Sequence, residues 1–211
     1  MKKIITLFLL AITISVVNAQ TAKDFFFANS EVTWLGVDFS NVQLVGDFTQ
    51  AFGYGDQSTD EVKDKYFPAW NNLFFSEQDK YDISKMIRNE KLDYDIDMVM
   101  ELNSNADSKE LRTYKPKMYS QNDIQAIVKK YTLKGKKGLG LVFIAEALNK
   151  NEKTGYFHFV VIDMGSSKVL FQEKLEGAPG GFGLRNYWAA SMYDVIKNVT
   201  KKHFKKWSKS Y

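Results

Sequence analysis

The chain has 211 residues, 29 lysines and arginines against 25 aspartates and glutamates, and no cysteine. Without thiols it can have no disulfide staple, thiolate nucleophile, iron–sulfur cluster or lipobox acylation. Core burial must therefore hold the fold, and an aromatic content of 15% supplies the bulk. A net charge of +4 does not point to nucleic acid as a partner, and no base-reading motif is present.

Lys2 and Lys3 precede an apolar run from Ile4 to Val17, and Val17-Asn18-Ala19 provides a small-residue exit before Gln20. This is the pattern of a secretory signal over residues 1–19, cleaved near Ala19–Gln20, and it predicts a periplasmic or secreted protein. The run is shorter than the roughly 20 apolar residues of a membrane span, and Thr6 and Thr13 interrupt it. No later segment approaches that length, so the mature chain is expected to have no transmembrane span; an uncleaved anchor is the alternative. Cleavage leaves a chain of one-domain size in which 27 basic residues face 25 acidic ones. Residues 195–211 hold six lysines and no side-chain carboxylate, which leaves the remainder acidic. The expected organisation is a flexible segment 20–30, a single α/β domain 31–204 and a basic tail 205–211.

Val32–Phe39 is rich in β-branched and aromatic residues and reads as a first strand. Ser40 and Asn41 interrupt it, and Val42–Phe48 either extends it past a bulge or forms its neighbour. Residues 53–56 read as a glycine-rich loop. Ser58 and Glu61 then fit a capping box for a helix over 59–75, kinked or split at Pro68. Residues 80–88 are weakly patterned, consistent with a short strand and a helical turn. Leu92, Tyr94, Ile96 and Met98 alternate with Asp93, Asp95 and Asp97, a period of two that predicts a strand continuing to Leu102. Residues 103–119 form a polar connection broken by Pro116. Ser120 and Asp123 cap a helix reaching about Tyr131. Leu139–Ala145 is a continuous apolar run suited to a strand covered on both faces. Tyr156–Asp163, a turn at Gly165 and Lys168–Leu175 form a hairpin. After the loop Gly177–Gly183, Leu184, Trp188, Met192, Val195 and Val199 recur at helical spacing, predicting a helix over 184–204 that lies across the hairpin. The order β-α-β-α-β-β-β-α predicts an α/β fold, a mixed β-sheet packed with helices around one core.

Val32–Phe39, Tyr156–Asp163, the Gly165–Lys168 turn, Val169–Leu175 and the alanine-bearing helix from Arg185 to Val199 carry a resemblance. Over roughly residues 30–204 the chain resembles the amino-terminal domain of the periplasmic translocation protein TolB and the related curli-secretion lipoprotein domain. That resemblance implies an envelope-interaction or assembly module without catalysis. The missing lipobox cysteine departs from the lipoprotein members and removes their mode of membrane attachment.

Few groupings carry chemistry. Asp93, Asp95 and Asp97 share one face of their expected strand, which reads as a solvated face, a cation or cationic-partner site, or paired carboxylates for hydrolysis. Gly177–Gly183 before a helix, with Arg185, reads as a permissive connection or an anion loop. It lacks GxxxxGK[ST], and Asn186 stands where a dinucleotide fingerprint requires glycine. His158 reads as a neutral, hydrogen-bonded residue on a partly exposed strand face. No motif assigns a catalytic residue, a cofactor or a metal site. At the C-terminal end, Lys202 and Lys206 lie on a polar helix face, and Trp207 is expected to be exposed as an anchor. The expected function is an exported, non-catalytic protein-interaction or envelope-assembly module, meeting an envelope protein or an anionic envelope surface and no nucleic acid. The alternative is a ligand-binding or hydrolytic protein acting on an envelope polymer through the acidic strand, the glycine loop and Arg185.

Overall fold

An apolar strand buried on both faces needs a layer of helices on each side, and that arrangement surrounds Leu139–Asn149. The computed structural model describes residues 20–27, 30–48, 58–133 and 135–211. The expected signal and the loop 53–56 lie outside the described residues. In chain order the elements are α1 (Ala22–Phe27), β1 (Val32–Asp38), β2 (Gln43–Val45) and α2 (residues 59–76, in four helical pieces). They continue with α3 (Ile83–Ile87), β3 (Leu92–Tyr94), α4 (Asp97–Ser104), α5 (Ser108–Leu111) and β4 (Arg112–Thr113). The remainder is α6 (Gln121–Val128), β5 (Leu139–Asn149), β6 (Thr154–Asp163), β7 (Lys168–Gly177) and α7 (residues 184–208). No described helix is long and apolar enough to cross a membrane.

Strand β5 is buried along its whole length and organises the sheet. On one side β6 pairs with it antiparallel, and β7 pairs antiparallel with β6. On the other side β1 runs parallel to Leu139–Ile144 and β2 parallel to Ala147–Asn149. Of the expected Val42–Phe48, Gln43–Val45 therefore extends the first strand past an interruption at Ser40–Asn41. Outside these, β3 pairs with Val32–Trp34 and β4 with Leu44–Val45, both parallel.

Helices α1, α2, α3 and α7 cover one face, where Trp34, Phe143, Phe159 and Trp188 join the larger core. Helices α4 and α6 cover the other, with Leu35, Val142, Ile144 and Val160. Each fully buried side chain of this size contributes roughly 1.5–3 kcal/mol, so the two layers can replace disulfides as the source of stability. The expected packing of the last helix on the hairpin is present: Trp188, Met192 and Val195 share a core with Phe157, Phe159 and Leu175. The closest approach is at Gly177, where a Cβ would lie 2.0 Å from the Ser191 carbonyl oxygen. Only glycine fits there.

Two π-turns set the phase of the long helices. In α2 the Phe67 N–H bonds the Val62 carbonyl, and in α7 the Phe204 N–H bonds that of Val199. Each i→i−5 bond accommodates one extra residue, so a buried valine is followed five positions on by a buried phenylalanine. An unbroken 3.6-residue period would have placed His203 inward; the π-turn turns Phe204 and Trp207 inward instead. Trp207 is 6% exposed, its ring 5.1 Å from those of Phe159 and Phe171, which corrects the expectation of an exposed anchor.

Three further expectations change. The strand beginning at Leu92 stops at Tyr94, and Asp97–Ser104 is helical. Met98, Val99 and Leu102 also satisfy helical spacing, and Asp97 in the first turn suits the helix dipole. The segment 20–30, expected to be flexible, contains α1, capped by Thr21 and Asp24 with Phe25 and Phe26 buried. Residues 80–88 form no strand: Asp82 caps α3, and Arg88 ends it in the left-handed conformation.

Among the described residues no strand lies beside the outer edge of β1 between β3 and β4. Asn71 from α2 and Asn103 from α4 reach that edge from opposite layers. The Val37 N–H donates to Asn71 Oδ1 at 2.8 Å, and the Phe39 N–H to Asn103 Oδ1 at 2.7 Å. Both Nδ2 groups donate to the Val37 carbonyl at 3.0 Å. Gly36, at φ +96°, makes room, since a Cβ there would lie 2.7 Å from Asn71 Oδ1. Truncating either asparagine strands buried backbone groups, so Asn71→Ala and Asn103→Ala should each lower stability by about 1–3 kcal/mol in urea titrations. A loss near zero would show that water replaces the amide. Deleting Lys202 should convert the second π-turn to α-helix with Phe204 still inward, and thermal unfolding should stay cooperative.

Candidate functional site

Ligands of parallel α/β sheets gather outside the carboxyl ends of the strands, where connections leave for opposite faces. Here the chain leaves β2 for the α2 layer and leaves its neighbour β4 for the α6 layer. The carboxyl ends of β2, β4 and β5 border a rim crossed by residues 114–119. The segment has no regular structure, yet its backbone is tied down. Gln43 Oε1 accepts from the Lys117 N–H at 2.6 Å, and Gln43 Nε2 donates to the Lys117 carbonyl at 2.8 Å. The Tyr119 N–H donates to Glu146 Oε2 at 2.9 Å, and the Tyr119 hydroxyl to the Asn41 carbonyl at 2.6 Å. Ser120 and Asp123 then form the full capping box of α6, and Lys117 pairs with Asp123 at 2.7 Å.

Glu146 lies where the β5–β6 register shifts, and such a bulge re-aims its side chain. Its Oε2 also accepts from His158 Nε2 at 2.8 Å, and its Oε1 from the Lys174 ammonium at 2.5 Å. Gln172 Nε2 lies 3.3 Å from His158 Nδ1, so the network assigns the ring proton to Nε2. The Tyr119 ring stacks on the imidazole, with centroids 6.3 Å apart. His158 is only 1% exposed, which corrects the partly exposed face expected for it. Lys174 also lies over the Tyr156 ring at 4.6 Å, and the Tyr156 hydroxyl donates to Glu152 at 2.6 Å.

Burial alone would raise the Glu146 pKa, but hydrogen bonds from His158, Lys174 and the Tyr119 N–H outweigh it and hold the carboxyl below its usual value. Tyr119 is pushed up to about 12 by burial, with the charges of Glu146, Asp38 and Asp123 adding to it. Tyr156 is pushed up to about 12, first by its bond to Glu152 and then by burial. Near neutral pH the cluster therefore holds an ionised glutamate and protonated tyrosines. Both imidazole nitrogens face protein partners. Such an arrangement fixes the segment that crosses it.

The fixed segment separates two open depressions. One, of about 350 Å³, is lined by Pro116, Met118, Glu146, Tyr156, Lys174 and Glu176. The other, of about 510 Å³, includes Ser40, Asn41, Asp107, Glu110 and Lys130, with Lys117 on the ridge between them. Tyr114 and Met118 project from this ridge, 80% and 75% exposed.

The residues singled out from sequence are dispersed. Asp93 is exposed on β3 and accepts from the Tyr94 N–H, Asp95 pairs with Lys136, and Asp97 opens α4. The three carboxylates therefore do not share a strand face. Arg185 pairs with Glu77 at 3.2 Å, and its carbonyl accepts from Trp70 Nε1, which ties the start of α7 to α2. Lys202 and Lys206 are exposed on α7, while Trp207 is buried. Among the described residues no group of three or more histidine or carboxylate side chains is placed to hold a metal ion. Gln43, Tyr119, Glu146 and Lys174 were not singled out. The signal for Glu146 was a lone carboxylate in the run Leu141–Leu148, since a charge in a buried strand requires partners.

No family model, curated protein or solved structure matches the chain.

Because its folded pKa lies below the ordinary value of 4.5, Glu146 contributes stability that is complete above that pH and lost as pH falls through the lower folded value. Glu146→Gln should cost about 1–3 kcal/mol at neutral pH and lose less on acidification from about pH 5 to pH 3. Urea titrations of both proteins at each pH check this. Parallel losses would remove Glu146 from the acid response.

Proposed function

We propose that this chain is an exported, non-catalytic interaction domain that receives an envelope protein on the rim formed by residues 112–119 and the two adjoining depressions. The observation that carries the reading is Tyr114 and Met118 held exposed on a segment anchored at Lys117 and Tyr119. An exposed tyrosine on a free loop loses conformational entropy on binding. Here the backbone is already ordered, so less is lost. Tyrosine and methionine are also enriched at protein interfaces.

The internal saturation of the Glu146–His158–Lys174 cluster supports binding over turnover, because its donors and acceptors already serve one another. The signal pattern and the resemblance to envelope-interaction domains point the same way. The rival reading, hydrolysis or capture of an envelope polymer, loses its support from Asp93, Asp95, Asp97 and Arg185, which occupy separate positions in the fold.

Replacing Tyr114 and Met118 together by serine should leave the melting temperature within about 2 °C, since exposed substitutions away from special features change stability little. Recovery of cross-linked partners from envelope extracts should fall at least tenfold, a loss of about 1.4 kcal/mol. Phe182, exposed on a different loop, supplies the control as Phe182→Ser. Equal recovery by all three proteins would reject the rim as the contact surface.

A further inference from the structure

We propose that the end of the molecule built from α1 and the last turns of α7 docks on an anionic lipid surface. Phe204 and Trp207 are buried beneath the last turns. At 100° per residue, Lys202, Lys205, Lys206 and Lys209 fall within an arc of about 100° facing away from them. All four are exposed, and none has an ion-pair partner among the described residues. No side-chain carboxylate follows Asp194, so the charge of this helix end is uncompensated along its own sequence. The adjoining face continues the pattern. Lys80, Lys85, Lys197 and Lys201 line one depression there, with Asp79 and Asp82 as its acidic members. Asp82 is already engaged as the cap of α3, and Lys197 is paired with Asp194.

Charge alone would suit many anions; the aromatic edge narrows the choice. Helix α1 packs on α7 through Phe25 and Phe26, whose ring centroids lie 6.2 and 5.4 Å from that of Phe204. The Tyr211 ring stacks on Phe26 at 5.3 Å. Lys23 and Phe27 lie one turn apart on α1, and both are exposed. Phe27 is 57% exposed and Tyr211 50% exposed. Ammonium groups beside exposed rings match the headgroup zone of a bilayer, where the charge meets phosphate and the ring enters the boundary of the acyl region. The apolar face of α7 is committed to the core, so the helix cannot turn over and insert. Contact is peripheral, carried by charge with one or two shallow aromatic anchors.

The test uses the chain from Gln20 onward, which contains every residue of both cores. Flotation with neutral phosphatidylcholine vesicles is compared with vesicles containing phosphatidylglycerol. Binding should occur on the anionic vesicles alone and weaken steeply with added salt, because the interaction is screened beyond about 8 Å at physiological ionic strength. Converting Lys202, Lys205, Lys206 and Lys209 to glutamate should reduce binding at least tenfold. Phe27→Ser with Tyr211→Ser should reduce it severalfold while keeping the salt dependence. A Lys-to-Gln version of the charge variant, with an unchanged circular dichroism melt, separates lost binding from lost folding. Equal binding to neutral vesicles, no binding to anionic ones at low salt, or full binding by the charge variants would overturn the proposal. So would binding to soluble polyglutamate that phosphatidylglycerol vesicles fail to compete.

Discussion

A primary amide carries a donor and an acceptor in the same relation as a peptide group, and this sheet uses that equivalence along β1, where no strand among the described residues lies alongside. Asn71 and Asn103 complete the edge of β1. Gln43 pairs with both backbone groups of Lys117. On the far edge, Gln125 of α6 donates to the Ser167 carbonyl and accepts from the Val169 N–H, each at 2.9 Å. Buried backbone groups must be paired, and an unpaired edge invites another chain. The amides meet both demands without more strands. The interruption between β1 and β2 is tolerable for this reason, and that interruption lets β3 and β4 flank different parts of one strand path. The rim between them follows.

The legible parts of the sequence were those where one period dominated. Leu139–Ala145, the hairpin beyond it and the helix across the hairpin each carried an unambiguous pattern, and each is present with an extension of a few residues. The acidic segment failed because Leu92–Leu102 satisfies two periods in succession, and local alternation could not show where β3 ended. Trp207 failed for a different reason. Its burial depends on a π-turn that shifts phase by one residue, and Val199–His203 bears no composition that announces it. The amide contacts are long range, joining residues such as Val37 and Asn103 across 66 positions. Only the fold brings them together.

The site was partly legible. A glutamate and a histidine on neighbouring apolar strands, at Glu146 and His158, required partners once both strands were taken as buried. What could not be read was the bulge that aims Glu146, or the return of residues 114–119 over the sheet end. Ionisation follows from that closure. Three donors outweigh the burial penalty on one carboxylate, and the resulting charge accepts the Tyr119 N–H that anchors the exposed ridge. The buried charge is thus a fastener for a surface, with part of its potential energy of solvation replaced by fixed donors.

The two proposed contact surfaces lie toward opposite ends of β5. The rim gathers around Ala147–Asn149, while the aromatic end of α7 packs near Phe171, which the hairpin register places opposite Val161 and so level with Leu141. Seven residues of strand separate these levels, about 23 Å at 3.3 Å per residue. Helix α7 spans the interval: Ser191 touches Gly155 and Gly177 near the rim, and Trp207 reaches Phe159 and Phe171. That distance exceeds the range of screened electrostatics, so the lysine arc does not act on the rim through its field. A bilayer at one end and a protein at the other would therefore bind without competing. The rigid sheet between them would fix how far from the lipid such a partner is held.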